Sequence, residues 1–184
     1  MNWFLLFWGF LIVQRLAEVR VAKSNEKKLL SKGAVEAGKD HYKWMVSMHV
    51  AFFVVFFIEV YVFKAQPPSW WTVPFVLFLM AQVIRVWAIS SLGEFWNTKI
   101  ILLPGANVVA KGPYRFMRHP NYTVVSLELL VMPLIFGAYF TAILFTILNI
   151  FMLRVRIPAE EKALMELTDY EKSHGQKQRF FPSQ

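Results

Sequence analysis

Residues 70 to 92, WWTVPFVLFLMAQVIRVWAISSL, contain Arg85 as their one ionisable side chain. A run of that length and polarity suits a helix that crosses about 30 Å of hydrocarbon. Trp44 to Phe63 repeats the pattern, apolar apart from Ser47, His49 and Glu59. With 57% hydrophobic and only 17% charged residues in 184, the chain is too apolar for an ordinary water-soluble globule. The length allows one domain, residues 1–184, and the spans would fill more than half of it. Any active site must therefore be assembled from loops and helix ends at a membrane face.

Three further spans complete the reading. The N-terminal MNWFLLFWGFLIV lacks the basic start and small-residue cleavage site of a signal peptide, and is read as part of a retained span over 2–22. Within it Arg15 and Glu18 sit at the interface, spaced i,i+3, with Arg15 snorkelling. Tyr122 to Arg154 is too long for one span, and Phe136-Gly137-Ala138-Tyr139 makes a tight bend, giving a helical hairpin over 121–137 and 139–155. With 44–63 and 70–92 this predicts an all-α integral membrane protein of about five transmembrane helices. A loop over 93–120 and a C-terminal segment over 156–184 lie on one face, and the latter begins with an amphipathic helix from Pro158 to near Gly175. Ser24 to Lys43 reads as a polar loop with room for a short helix.

Lysine and arginine number eight from Arg15 to Lys43, one (Lys64) in the KAQPPS turn, five from Arg85 to Arg118 and six from Arg154 onward. Five spans put the eight, the five and the six on the same side. That side is then cytoplasmic, with the N-terminus outside and the C-terminus inside. The membrane would be the plasma membrane in a bacterium or the endoplasmic reticulum in a eukaryote. The net charge of +8 is accounted for by this orientation and by anionic lipid, so nucleic acid is not an expected partner.

The hairpin permits a geometric expectation. With its turn centred near Ala138, residues at equal depth have numbers summing to about 277. Glu128 then meets Asn149, Tyr122 meets Val155, and His119 meets Pro158. The basic segment KGPYRFMRHPNY (Lys111 to Tyr122) faces Arg154, Arg156, Glu160 and Glu161 across a small cytoplasmic gap. The residues alone leave two readings: a headgroup-binding loop beside a helix start, or one pocket with two walls. Glu128 inside a span is a functional candidate by default, but a hydrogen bond to Asn149 would make it structural. Arg85 is expected to snorkel.

The chain has no cysteine, which excludes disulfides, thiolate metal sites and a cysteine nucleophile. His41, His49 and His174 have no motif around them, no histidine pair has HxxxH or HExxH spacing, and no metal site is expected. No GxGxxG follows a strand, which argues against a Rossmann methyltransferase or dehydrogenase.

GPYRFMRHPNY (Gly112 to Tyr122), RIPAEEKAL (Arg156 to Leu164), Tyr170 and Phe181-Pro182 together resemble the isoprenylcysteine carboxyl methyltransferase family. The resemblance covers roughly residues 70 to 182. It implies an integral membrane O-methyltransferase that uses S-adenosylmethionine on a lipophilic acceptor. By position it also implies cofactor contacts at Lys99, Ala106, Asn107, Val108, Val109, Tyr114, His119, Pro120, Asn121, Tyr122 and Glu160. Arg156 would be the substrate-binding and catalytic arginine, with Glu160 beside it. Many members have a glycine where this chain has Val124, which favours a long-chain alkylpyrone-like or phenolic acceptor over a prenylcysteine. Two other classes share part of the pattern: NADPH-dependent membrane sterol reductases, which carry a similar RHPNY, and non-enzymatic proteins that bind anionic lipid.

Overall fold

The computed structural model describes residues 2–171 and 178–180. Five helices carry the chain: α1 (Asn2–Ser31), α2 (Lys39–Phe57), α3 (Thr72–Leu92), α4 (Pro120–Ile135) and α5 (Tyr139–Leu167). α2 continues into a π-helical turn over Ile58–Val62. Single 3₁₀ turns at Gly93–Phe95 and Gly112–Arg115 punctuate the connection from α3 to α4. In sequence neighbours, α3 packs on α4 and α4 on α5, while α2 also packs on α5.

Among the described residues, three helical stretches are long and apolar enough to cross a membrane, at Lys39–Val62, Thr72–Phe95 and Tyr139–Leu167. α1 carries Arg15 and Glu18 within its apolar half, and α4 has 16 residues, a rise of about 24 Å. Five helices stand where five transmembrane spans were expected, and by length and composition three of them suit a crossing. Their lengths and environments differ from what was expected.

The fold is not purely helical. Ser24 to Lys43, expected as a loop, holds the end of α1, a strand β1 (Val35–Ala37) and the start of α2. β1 pairs antiparallel with β2 (Ile100–Leu102), with Glu36 opposite Ile101. The isoleucines of β2 are buried, and β2 holds the connection from α3 to α4 against β1, α1 and α5.

α5 differs most from its sequence-based expectation. Pro158 was expected to start a new helix reaching Gly175, yet α5 runs unbroken through it and ends at Leu167. Proline removes one helix hydrogen bond, that to the Arg154 carbonyl. Both Arg154 and Pro158 are exposed, so that carbonyl stays open to solvent or headgroups, while Arg156, Ile157 and Glu161 are buried on the other face. Gly175 and His174 lie outside the described residues.

The expected bend at residues 136–139 is present. Gly137 has φ +72°, and a Cβ there would lie 2.1 Å from the Gln66 carbonyl oxygen. Glu59, from the π-helical turn, caps α5 by accepting from the Phe140 and Thr141 amides at 3.0 and 2.7 Å. Below the bend, Phe4, Phe52, Phe56, Phe136 and Phe145 form an aromatic core.

The depth rule holds for Ser126, which accepts from Asn149 Nδ2 at 2.9 Å. It fails for Glu128, which was expected to meet Asn149. The Glu128 carboxylate is instead held by Arg85 and Arg15 and by Gln82, the last at 2.6 Å. Arg85 was expected to snorkel; it is 2% exposed and reaches both Glu128 and Glu18. Arg15 makes the expected i,i+3 contact with Glu18 at 2.6 Å, and also contacts Glu128 at 2.6 Å. Two guanidiniums and two carboxylates therefore neutralise one another between α1, α3 and α4.

Removing Glu128 would leave two guanidiniums sharing one carboxylate, Glu18, in a low-dielectric interior. Glu128→Ala is expected to destabilise the fold by about 3–5 kcal/mol, read as a fall in the melting temperature of the protein purified in detergent. An unchanged melting temperature would rule out a structural role for the network.

Candidate active site

The site is built where α4 begins beside the middle of α5. Pro120 is the first residue of α4, where its missing N–H costs nothing and its fixed φ suits the helix. His119 precedes it with a non-helical backbone (φ −126°, ψ 58°), and Asn121 and Tyr122 follow on the first turn. Gly112 allows the loop to arrive there. Its φ is +58°, and a Cβ would come within 1.9 Å of the Ser91 hydroxyl oxygen on α3.

Arg156 and Glu160, four residues apart on the unbroken α5, grip the same hydroxyl. Tyr122 Oη accepts from Arg156 Nε at 2.8 Å and donates to a Glu160 carboxylate oxygen. Arg156 Nη2 donates to the Thr98 carbonyl at 2.7 Å. The guanidinium is 4% exposed, and its Nη1 has no partner among the described residues. It is thus fixed at two nitrogens and has unspent donors at the third.

Glu161, the next residue, points to a different set of groups. It is 5% exposed and meets His119 Nε2 at 3.0 Å and Arg118 at 3.5 Å. Arg179 also reaches it, through Nε at 3.0 Å and Nη2 at 2.5 Å. The His119 and Tyr122 rings stack at 5.3 Å between centroids, which links the two glutamate clusters.

A loop from Leu103 to Lys111 closes the far side. Its Gly105 amide donates to the Leu167 carbonyl at 2.9 Å, and its Val108 amide to Asp169 at 2.8 Å. The end of α5 thereby holds the segment that contains Ala106, Asn107, Val108 and Val109.

These walls enclose a cavity of about 470 Å³. Arg156, Glu160, Lys99, Ala106, Asn107, Val108, Val109, Tyr114, His119, Asn121 and Tyr122 all line it. Pro120, also expected as a cofactor contact, does not; its ring starts α4 and is buried. Lys99 reaches the cavity but is engaged by Glu26 at 2.7 Å and Glu36 at 3.5 Å. The hydrogen bond that Lys99 donates to Glu26 outweighs desolvation and raises the lysine's pKa. The Tyr114 phenol is pushed up by burial and by the charge of Glu160, and so stays neutral.

Sequence reasoning placed Arg115, Arg118, His119 and Tyr122 opposite Arg154, Arg156, Glu160 and Glu161; the structure brings Arg118, His119 and Tyr122 to Arg156, Glu160 and Glu161, whereas Arg115 and Arg154 are exposed and lie over the Phe116 and Phe151 rings. It missed the Thr98 carbonyl, Trp96, Asn97, Asp169 and Arg179. Trp96 Nε1, Asn97 Nδ2 and Asn121 Oδ1 are buried polar atoms without a partner among the described residues, and all three residues line the cavity. The Asn97 amide orientation is fixed, because its Oδ1 accepts from the Thr98 amide at 3.1 Å. Unsatisfied donors and an acceptor in one cavity of ligand size suit a polar small molecule. No spacing in the sequence marked Trp96 or Asn97, since both lie in an irregular stretch.

Apolar helices of spanning length with a largely apolar cavity at one end, in a chain that matches a methyltransferase family, make this a membrane methyltransferase in general kind. Residues 73–166 match the family model described as "Isoprenylcysteine carboxyl methyltransferase (ICMT) family". The chain belongs to that family. It is similar to the uncharacterized protein YpbQ of Bacillus subtilis (strain 168), with 49% identity over 164 residues, 88% of this chain and 98% of that protein. It is also similar to an uncharacterized protein of Haemophilus influenzae, with 29% identity over 154 residues, 83% of this chain and 90% of the other.

The steric demand at Gly112 is testable. Gly112→Ala is expected to destabilise by about 1–3 kcal/mol through its left-handed backbone and the Ser91 clash. Adding Ser91→Gly should recover part of that loss in thermal unfolding, because the clash is shared by the two residues.

Proposed function

We propose that this chain transfers a methyl group from S-adenosylmethionine to an oxygen of a lipophilic acceptor at the cytoplasmic membrane face. The acceptor oxygen belongs to a carboxylate or to an enol or phenol, as in a prenylcysteine or a long-chain alkylpyrone-like lipid. The orientation that goes with it has five crossings, the N-terminus outside and the C-terminus inside, as the distribution of basic residues favours. Family membership supports the reaction class. The observation that carries the reading further is the clamp of Tyr122 between Arg156 and Glu160 inside one cavity.

The cofactor supplies, when bound, an electrophilic methyl on a sulfonium that becomes neutral as the methyl leaves. The residues that would hold it are Glu160 for its amino group, and the 106–109 loop, His119, Asn121 and Tyr114 for the rest. Arg156 has a separate task. With Nε on Tyr122 and Nη2 on Thr98, its remaining Nη1 can hold an acceptor oxyanion in a charge-assisted hydrogen bond. Orientation of the acceptor by a guanidinium that cannot swing away lowers the entropic part of the barrier. Burial of Arg156 and His119 keeps water from competing. Tyr122 fixes the rotamers of both charged groups.

Incubation with radiolabelled S-adenosylmethionine and a lipid extract of the source cell should label a lipid, and Arg156→Ala should reduce that labelling by about 10²-fold or more while the protein stays folded. Titration with S-adenosylmethionine and with NADPH separates this reading from a reductase. Binding of NADPH alone would overturn it, and a fully active Arg156→Ala would remove that residue from the mechanism.

A further inference from the structure

We propose that Arg179, far along the chain from the α4 motif, is a positioning residue of the same site: it orients Glu161 and through it His119, so that residues 178 and 179 brace the cofactor-side wall from behind. This rests on the methyltransferase reading above.

The geometry is specific to a guanidinium. Arg179 Nε meets Glu161 Oε1 at 3.0 Å and Nη2 meets Oε2 at 2.5 Å, one nitrogen to each oxygen. Such a paired contact fixes the plane of the carboxylate, which a lysine ammonium cannot do. Oε1 is also the atom that meets His119 Nε2. Turning the carboxylate would therefore break the contact that sets the imidazole, whose ring stacks on Tyr122. Tyr122 in turn holds Arg156 and Glu160. Arg179 thus acts two contacts away from the cavity that His119 and Tyr122 line.

The backbone reinforces the side chain. The Arg118 amide donates to the Gln178 carbonyl and the His119 amide to the Arg179 carbonyl, both at 3.0 Å. His119 has no side-chain cap at the start of α4, so its backbone is held there by residues 178 and 179. The Arg179 side chain is 49% exposed. Packing alone does not place it, and a small cation added to the solution can reach the space it would vacate.

The test uses the full-length protein in lipid nanodiscs. Arg179→Ala is expected to raise the Kd and KM for S-adenosylmethionine by about tenfold, as loss of a hydrogen-bonded charge implies, and to change the acceptor KM by less than about twofold. Arg179→Lys should recover less than half of the loss. Guanidinium chloride at tens of millimolar should restore cofactor affinity to Arg179→Ala, whereas sodium chloride at equal ionic strength should not. Arg179→Ala added to Glu161→Gln should have little further effect, because the two residues act through one contact. Unchanged cofactor affinity in Arg179→Ala would overturn the proposal. So would a loss without guanidinium rescue, accompanied by a lower melting temperature and equal rises in both KM values, since that marks a merely structural residue. If the wild type does not bind S-adenosylmethionine, the methyltransferase reading fails and this inference fails with it. If the wild type binds and Arg179→Ala binds equally well, only this inference fails.

Discussion

Everything at the end of this molecule that holds the cavity depends on how four charges are accommodated within the helix bundle. Arg15 and Arg85 each lie thirteen residues into their helices, a rise of about 20 Å. Glu128 lies eight residues into α4, about 12 Å. The two distances together are about one hydrocarbon thickness, as they should be if α4 runs against α1 and α3. An unpaired charge at that depth is too costly to keep, so the pairs fix the relative heights of three helices. Once the height of α4 is set, so is the height of Pro120 and of the residues on either side of it.

The second constraint is the continuity of α5. A helix that stopped at Pro158 would let the glutamates turn independently of Arg156. Because it continues, Arg156 and Glu160 share a face, and their common partner Tyr122 comes from the adjacent helix. The missing hydrogen bond at Pro158 falls on the exposed side, where its carbonyl partner can be solvated. Burial of Ile157 and pairing of Arg156 and Glu161 on the opposite side favour continuation. A local breaker signal is thus overruled by tertiary contacts.

These cases show where the sequence was legible. The bend at 136–139 and the meeting of His119 with Glu161 followed from helix rise and chain order, which are local quantities. The partner of Glu128 did not, because Arg15 and Arg85 are 113 and 43 residues away and no periodicity relates them to it. The depth rule named Asn149 because it considered only two helices. The β1–β2 pair was equally hidden: three-residue strands carry too short an alternation to be distinguished from loop. Arg179 follows the end of α5 without a repeat or motif that would tie it to Glu161. Of the twelve residues that the family motif implied, eleven line the cavity and Pro120 begins the helix, while most of the wall is apolar side chains that no motif marks.

Adjacent glutamates on α5 illustrate how one short motif serves two purposes. Successive helical residues are rotated by about 100°, so Glu160 and Glu161 cannot face the same partner. Glu160 is only partly buried, lines the cavity and is held by one neutral hydroxyl. Glu161 is buried, and two arginines and a histidine surround it. Placing the cations on the inner acid leaves the outer one with negative charge that no arginine among the described residues neutralises at hydrogen-bonding distance. A carboxylate in that condition can attract a positively charged ligand group, whereas Glu161 would have to give up its own partners first. The division explains why a pair of acids, rather than one, stands opposite the start of α4.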